Sequence, residues 1–408
     1  MQIYAFNEDI GSGLPIWLPN GGILIEEIER LAKELEFQGD YHRVKSPAIA
    51  RENLFLKSGH LPYYADGMFP PIEIDGQKYY LKAMNCPHHH SIYNASPRSY
   101  KELPLRFAEY GQCYRYEDSG SLQGLMRCRV ISMNDAHIYV RENQLHEELC
   151  RVRDLHVKCL DLFGIKCKWR LSLHSKEELG NKYINKPEKW EHSENALRKS
   201  LEGFDYYEAA NEAAFYGPKV DLQINSVMGR EFSLASFQVD FAAAENFNLQ
   251  YRNENNEFEA PLVIHRAPLS GHERLIGFLL EHFQGNFPFW LQPMQISFIP
   301  ISNDEIEYCK NIANILKESG IRCEILSDAP LKARISDSRE RKVALRVVVG
   351  KRDIEKNILC VKHRDSEVQH EISQEQLINI VLNNYKNRNL NFIFQISNLV
   401  ENISGNSF

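Results

Sequence analysis

The nine cysteines of this sequence include no Cys-x-x-Cys pair, the chain has no excess of positive charge, and no apolar run approaches the length of a membrane span. Each absence removes a class of protein. Scattered thiols argue against a redox motif or a locally built zinc knuckle, and an odd number fits free cysteines in a reducing compartment. A net charge of -7 and a pI of about 6.1 exclude a protein that grips nucleic acid with its whole surface, leaving room for a local basic face. No stretch reaches the roughly 18 apolar residues of a bilayer crossing, and the opening MQIYAFNED has neither a basic n-region nor an apolar h-region. The expected location is therefore cytoplasmic.

What is present is the balance of a globular protein. The 408 residues, 43% apolar and 25% charged, suffice for two or three domains with buried cores. The most informative stretch runs from Leu105 to His137. It reads as an antiparallel hairpin: a strand near Gln112 to Asp118, a turn-rich loop through Ser119, Gly120, Ser121 and Gly124, and a return strand near Arg127 to Asn134. Arg115 and Glu117 are two residues apart, so on an extended strand they share a face, where a cation can meet a phosphate and a carboxylate an exocyclic amine. Arg127 and Arg129 repeat the spacing. Asp135 and His137, again two apart, give one face an anion and a metal ligand type. Taken alone, such charges also suit a solvated ribbon whose side chains pair with one another.

Upstream, Ala83-Met-Asn-Cys86-Pro87-His88-His89-His90 sets a cysteine beside three histidines. A cysteine there is either a small buried hydrophobe or a ligand. Three successive histidines point in diverging directions and cannot all join the cysteine on one ion, so any partners lie far away in sequence.

The order RYEDSG, LQGLMR and NDAH resembles motif 2 of the class II aminoacyl-tRNA synthetases and, among them, the threonyl branch. Other segments agree with it. A helix is expected from about Ile23 to Glu36, and the extended segment that follows, Tyr41 to Ala50 with Ser46-Pro47, is similar to motif 1, which implies a homodimer. Ser58-Gly59-His60 and Met68-Phe69 match the branch as well. The run from Pro261 through His265-Arg266-Ala267 to Gly271-His272-Glu273-Arg274 is similar to motif 3. The resemblance covers roughly Gly11 to Leu382 and implies a form without an N-terminal editing region.

It also implies roles. The zinc ligands would be Cys86, His137 and His265. Arg115 would hold the amino-acid carboxylate and the α-phosphate, Glu117 would read the adenine amine, and Arg127 and Arg274 would hold the triphosphate tail and the base, with Mg2+ arriving on ATP. Arg115 and Arg274 would be the catalytic pair. Asp135, Tyr216, Lys219 and Gln238 would line the amino-acid pocket. Several positions depart from the usual pattern: Ile131 stands where an aromatic is expected against adenine, Met133 and Ser233 where glutamines are usual, Ala83 where a proline is, and Asp328 where asparagine is frequent.

After Phe287-Pro288-Phe289-Trp290-Leu291-Gln292-Pro293 the texture changes to alternating strands and helices, with Lys332, Arg334, Arg339, Arg341, Lys342, Arg346, Lys351 and Arg352 making it locally basic. This part resembles an anticodon-binding domain, in which Lys362 and Arg364 would contact the anticodon. The expected fold class is α/β (α+β), a class II antiparallel sheet flanked by helices, with a catalytic domain over 1–292, an anticodon-binding domain over 293–388, and a tail over 389–408 without an assigned role. The expected function is ATP-dependent activation of L-threonine and its transfer to tRNA(Thr), zinc selecting the amino acid. A paralogue serving a non-tRNA acceptor, or a tRNA-binding regulator, is the second reading.

Overall fold

The computed structural model describes residues 1–227 and 229–394. It divides into two compact units: Tyr4–Ile16 with Ile28–His282, and Met1–Ile3 with Trp17–Glu27 and the residues from Phe283 onward. Among the described residues, no helix is long and apolar enough to cross a membrane.

The larger unit is built on an eight-stranded sheet. Its strands lie side by side in the order Tyr206–Ala209, Lys168–Ser172, Lys219–Asn225, Glu231–Asp240, Leu262–Ala267, Val130–Val140, Leu105–Tyr114 and His42–Arg43. Neighbours are antiparallel except for the outermost pair at each edge, which is parallel. Such a sheet needs cover on its faces. The helix Leu145–Leu162 supplies part of it by burying Leu145, Leu149, Val152, His156 and Cys159, a stripe at spacings of three and four. It packs against the Glu231–Asp240 and Leu262–Ala267 strands.

The expected hairpin is present, with different limits. Its ladder runs from Leu105 opposite Tyr139 to Tyr114 opposite Val130. The first strand therefore ends before Arg115, and the second begins after Arg129. Arg115, Glu117, Arg127 and Arg129 lie on the loop beyond the ladder, so the shared-face argument from strand alternation does not apply to them. It holds for Asp135 and His137, which are inside the Val130–Val140 strand.

Register sets up the site. Gln238 is opposite His265, His265 is opposite His137, and His137 is opposite Phe107, a row crossing four strands. Directly opposite residues in antiparallel strands project from the same face, so three polar side chains brought from distant sequence positions become neighbours.

The second unit contains a five-stranded sheet in the order Cys323–Ile325, Ile296–Pro300, Leu345–Val349, Leu359–His363 and Gln369–Ile372. Helices Ile306–Glu318, Leu331–Glu340 and Gln374–Lys386 complete it, as the alternating sequence texture predicts. Phe298, Ile312, Leu316, Leu345, Val347, Val361 and Leu377 form its core. Asn384, fully buried, donates to the Ile393 carbonyl at 2.8 Å and accepts from the Ile393 N–H at 2.9 Å, which ties down the chain after the last helix. The remainder of the 389–408 tail, from 395, is outside the described residues.

Candidate active site and metal centre

Cys86, the first residue of the helix Cys86–Tyr93, is placed against the row of polar side chains on the sheet. Its thiol and one ring nitrogen from each of His137 and His265 lie within 4.8 Å of one another, all three residues buried. The two histidine rings are 4.3 Å apart, centroid to centroid. His137 Nε2 is buried and has no hydrogen-bond partner among the described residues. A native structure seldom leaves such an atom unmatched unless something else binds it. One thiol and two imidazoles within reach of each other form a donor set of the zinc type, with fewer protein ligands than a closed tetrahedral site has. The residues present therefore fit the ion. Burial raises the Cys86 thiol well above its ordinary value, and Asp135 and Asp240 add to the shift, so the thiolate needs a cation beside it.

The helix resolves the three successive histidines as their geometry requires. His88 turns toward Phe55, His89 places Nδ1 2.8 Å from His137 Nδ1, and His90 places Nδ1 3.0 Å from the Tyr139 hydroxyl.

These groups border a cavity of about 90 Å³ lined by Cys86, Arg115, Asp135, His137, Tyr216, Gln238 and His265 among others. The Tyr216 hydroxyl donates to Gln238 Oε1 at 2.7 Å, and its ring stacks on His265 at 5.4 Å. Gly217 makes that approach feasible: a Cβ there would sit 1.8 Å from the Val239 carbonyl oxygen. Asp135 accepts from Asn85 Nδ2 at 3.3 Å, and burial raises its carboxyl, a shift that a cation or N–H donors placed beside it would reverse. Lys219 is outside this lining; its ammonium is 3.1 Å from Asp221 Oδ2. Sequence reading missed Met84, Cys113, Ser236 and Arg266, which also line the cavity. Arg266 is part of a buried network. Its guanidinium reaches Glu36 Oε1 at 2.9 Å and Asn134 Oδ1 at 3.2 Å and lies over the Tyr41 ring.

A second, larger cavity of about 590 Å³ is lined by Glu117, Gln123, Met126, Arg127, Phe232, Ser233 and Arg274 among others. Glu117 and Arg127 pair at 2.7 Å, so nucleotide reading by Glu117 requires this pair to open or share. Arg274 is the third residue of the helix His272–Phe283. The preceding Glu273 ties the helix to the hairpin by accepting from the Ser132 N–H at 2.9 Å and its hydroxyl at 3.3 Å. Arg274 donates weakly, at 3.3 and 3.4 Å, to the Met126 and Ser233 carbonyls. Burial lowers its pKa, and the positive charges of Arg115 and Arg127 lower it further, a crowding that a polyanion relieves. Ser233, at the position of a usual glutamine, accepts from Gln223 Nε2 at 2.7 Å, a partner on the neighbouring strand.

In the second unit, Lys362 and Arg364 have different environments. Lys362 pairs at 2.7 Å with Glu367, which is fully solvated, and lies in register with Arg346 on the adjacent strand. Arg364 is committed to the fold: it donates to Gln292 Oε1 at 2.7 Å, to the Lys342 carbonyl at 3.0 Å and to the Phe287 carbonyl. Arg334 and Arg341 are also engaged, with the Pro300 and Leu326 carbonyls and with Glu324.

Residues 71–283 match the family described as the tRNA synthetase class II core domain (G, H, P, S and T), and residues 295–384 match the anticodon binding domain. The chain belongs to the class II tRNA synthetase family. Within that family it is similar to threonine–tRNA ligases. That of Deinococcus deserti is 39% identical over 370 residues, covering 90% of this chain and 57% of the relative. That of Streptococcus gordonii is 35% identical over 394 residues, covering 95% and 61%. The chain thus spans about three fifths of the length of these curated relatives. The solved RNA binding domain of threonyl-tRNA synthetase from Cryptosporidium parvum superimposes with a TM-score of 0.87 at 29% identity, covering 96% of both chains.

Proposed function

We propose that this chain carries the catalytic core and anticodon-binding part of a threonine–tRNA ligase, acting as a homodimer in the cytoplasm. The observation that carries this reading is the convergence of Cys86, His137 and His265 beside Asp135 and Arg115 in one small cavity next to a larger arginine-lined one.

Activation requires a carboxylate to attack the α-phosphate of ATP, and positioning with cationic stabilisation supplies most of what that step needs. Arg115 lines the small cavity and is close enough to Arg274 for their charges to interact, which suits it to hold the substrate carboxylate against the α-phosphate. Arg127 and Arg274 take the remaining phosphates and the base, and Glu117, once released from Arg127, accepts from the adenine amine. Mg2+ comes with the nucleotide. Asp135 receives the amino group. The second step passes the acyl group to a ribose hydroxyl at the tRNA 3′ end, with Lys362 contributing to the distant anticodon contact.

Cys86, His137 and His265 would hold zinc, which when bound would leave coordination open to the amine and hydroxyl of threonine. This matters because valine is nearly isosteric with threonine, and an apolar pocket separates such a pair by only about 10²-fold. Serine has the hydroxyl and should be admitted at some frequency.

Pyrophosphate exchange with threonine, followed by charging of tRNA(Thr), tests the reading. Exchange and charging together are expected. No exchange overturns it in favour of a binding protein, and exchange without charging in favour of a paralogue with another acceptor.

A further inference from the structure

Two of the proposed ligands are histidines with two chemically distinct nitrogens each, and an imidazole binds a metal only through the nitrogen that carries no proton. What fixes the proton elsewhere is therefore as necessary as the ligands. We infer that Asp240 and His89 are positioning residues: Asp240 sets His265 to present Nδ1 to the metal, and His89 sets His137 to present Nε2. This rests on the reading of the three-ligand centre above.

The first half follows from how Asp240 is held. It ends the Glu231–Asp240 strand, and its Oδ1 accepts two backbone N–H groups, from Ala242 and Ala243, both at 2.8 Å. That leaves Oδ2 aimed at His265 Nε2, 3.1 Å away. A carboxylate can only accept, so Nε2 carries the proton and Nδ1 keeps its lone pair. His90, Asp240 and His265 also gather within 4.8 Å. Because Asp240 already binds His265, that group forms an outer layer of the same centre.

The second half is a longer chain. His137 Nε2 has no partner among the described residues, whereas its Nδ1 is 2.8 Å from His89 Nδ1. If His137 is to offer Nε2, its proton is on Nδ1 and His89 Nδ1 accepts it. The remaining proton of His89 then sits on Nε2, which faces Glu109 Oε1 at 3.6 Å, an ion-pair distance longer than a hydrogen bond. Glu109 is anchored in turn by the Ser46 N–H at 2.8 Å, the Ser46 hydroxyl at 2.6 Å and Lys82 at 3.2 Å. Donation therefore runs one way from His137 through His89 to Glu109, a carboxylate that Lys82 also donates to, and it leaves His137 with a lone pair at the metal position. Outer partners of this kind typically govern metal affinity by 10- to 100-fold.

The test is zinc affinity of the purified full chain by chelator competition, with thermal unfolding of the zinc-free variants alongside. Asp240→Asn preserves shape, but with Oδ1 still accepting from Ala242 and Ala243, its amide would donate toward His265 Nε2 and force the wrong tautomer. A loss of about 10- to 100-fold in zinc affinity is expected, with the zinc-free protein still folded. His89→Leu should lose as much, whereas His89→Gln, which can accept from His137 and donate toward Glu109, should recover most of it. Should Asp240→Asn fail to fold, the contrast between His89→Leu and His89→Gln decides. Wild-type affinity in Asp240→Asn and His89→Leu, with zinc lost in Cys86→Ser, overturns the positioning roles and leaves the ligand set standing. Absence of zinc uptake by the wild-type chain overturns both.

Discussion

His137 and His265 are direct partners across two antiparallel strands, with ring centroids 4.3 Å apart and planes inclined at 69°. The sheet register alone places them there, although they are 128 positions apart in sequence. Cys86 joins them from the tip of a helix. A metal held by these three residues would have rigid backbone behind every ligand, which would favour discrimination between substrates of nearly equal shape.

Arg115 separates chemistry from stability. Among the described residues its guanidinium makes a single long hydrogen bond, to the Ala83 carbonyl at 3.4 Å. Arg115→Ala is therefore expected to lower the rate of adenylate formation by about 10²- to 10³-fold. The unfolding temperature should barely change. Pyrophosphate exchange and a thermal melt on the same preparation check both halves.

Arg266 has the opposite profile. It is buried against Glu36, and Glu36 has only Asn134 and the more exposed Arg43 as its other polar partners among the described residues. Arg266→Met removes the charge that offsets a buried carboxylate, and a loss of about 3–5 kcal/mol is expected. Denaturant unfolding measures it.

His272 predicts a pH dependence. Its ring is buried and stacks on Tyr110 at 4.2 Å, and its Nε2 has no hydrogen-bond partner among the described residues, the nearest carboxylate being Glu29 at an ion-pair distance of 3.8 Å. Burial lowers its pKa to about 3. A depressed histidine leaves the unfolded chain binding the extra proton between about pH 6.5 and 3, so stability falls as pH falls through that window. At pH 5 the contribution is on the order of 2 kcal/mol. His272→Leu should flatten this part of the profile, seen as a smaller drop in unfolding free energy between pH 7.5 and pH 5 than in the wild type.

Much of this was legible in the sequence, for identifiable reasons. The turn-rich loop after Asp118, between two segments of extended character, disclosed the hairpin, and the alternating texture after Pro293 disclosed the second sheet. The place where the ladder stops was not legible, because RYED is as compatible with a strand as with the loop that Arg115 and Glu117 occupy. Cys86, His137 and His265 were found through resemblance, since register cannot be counted across strands of unknown order. Asp240 and His89 were passed over, although His89 lies three residues after Cys86 and Asp240 two residues after Gln238. Their importance depends on which ring nitrogen they face, and only coordinates carry that. Arg364 was assigned through the resemblance, and its guanidinium is engaged by the Gln292 amide oxygen, the Lys342 and Phe287 carbonyls and the neighbouring Asp365.

Lys362 and Arg364 should consequently behave differently. Lys362→Ala is expected to raise the KM for tRNA and to leave both threonine activation and the unfolding temperature unchanged. Arg364→Ala removes donors from Gln292 and from the Lys342 and Phe287 carbonyls and should lower the unfolding temperature of the chain. Charging kinetics over a range of tRNA concentrations, with thermal melts of both variants, distinguish the two.

The most direct test is the ratio of threonine- to valine-dependent pyrophosphate exchange by the zinc-loaded chain. Coordination of the substrate hydroxyl predicts a preference for threonine well beyond the roughly 10²-fold that a shape-matched apolar pocket can reach, and its collapse in Cys86→Ser. A ratio at or below that limit, or one unaltered by Cys86→Ser, would contradict the account.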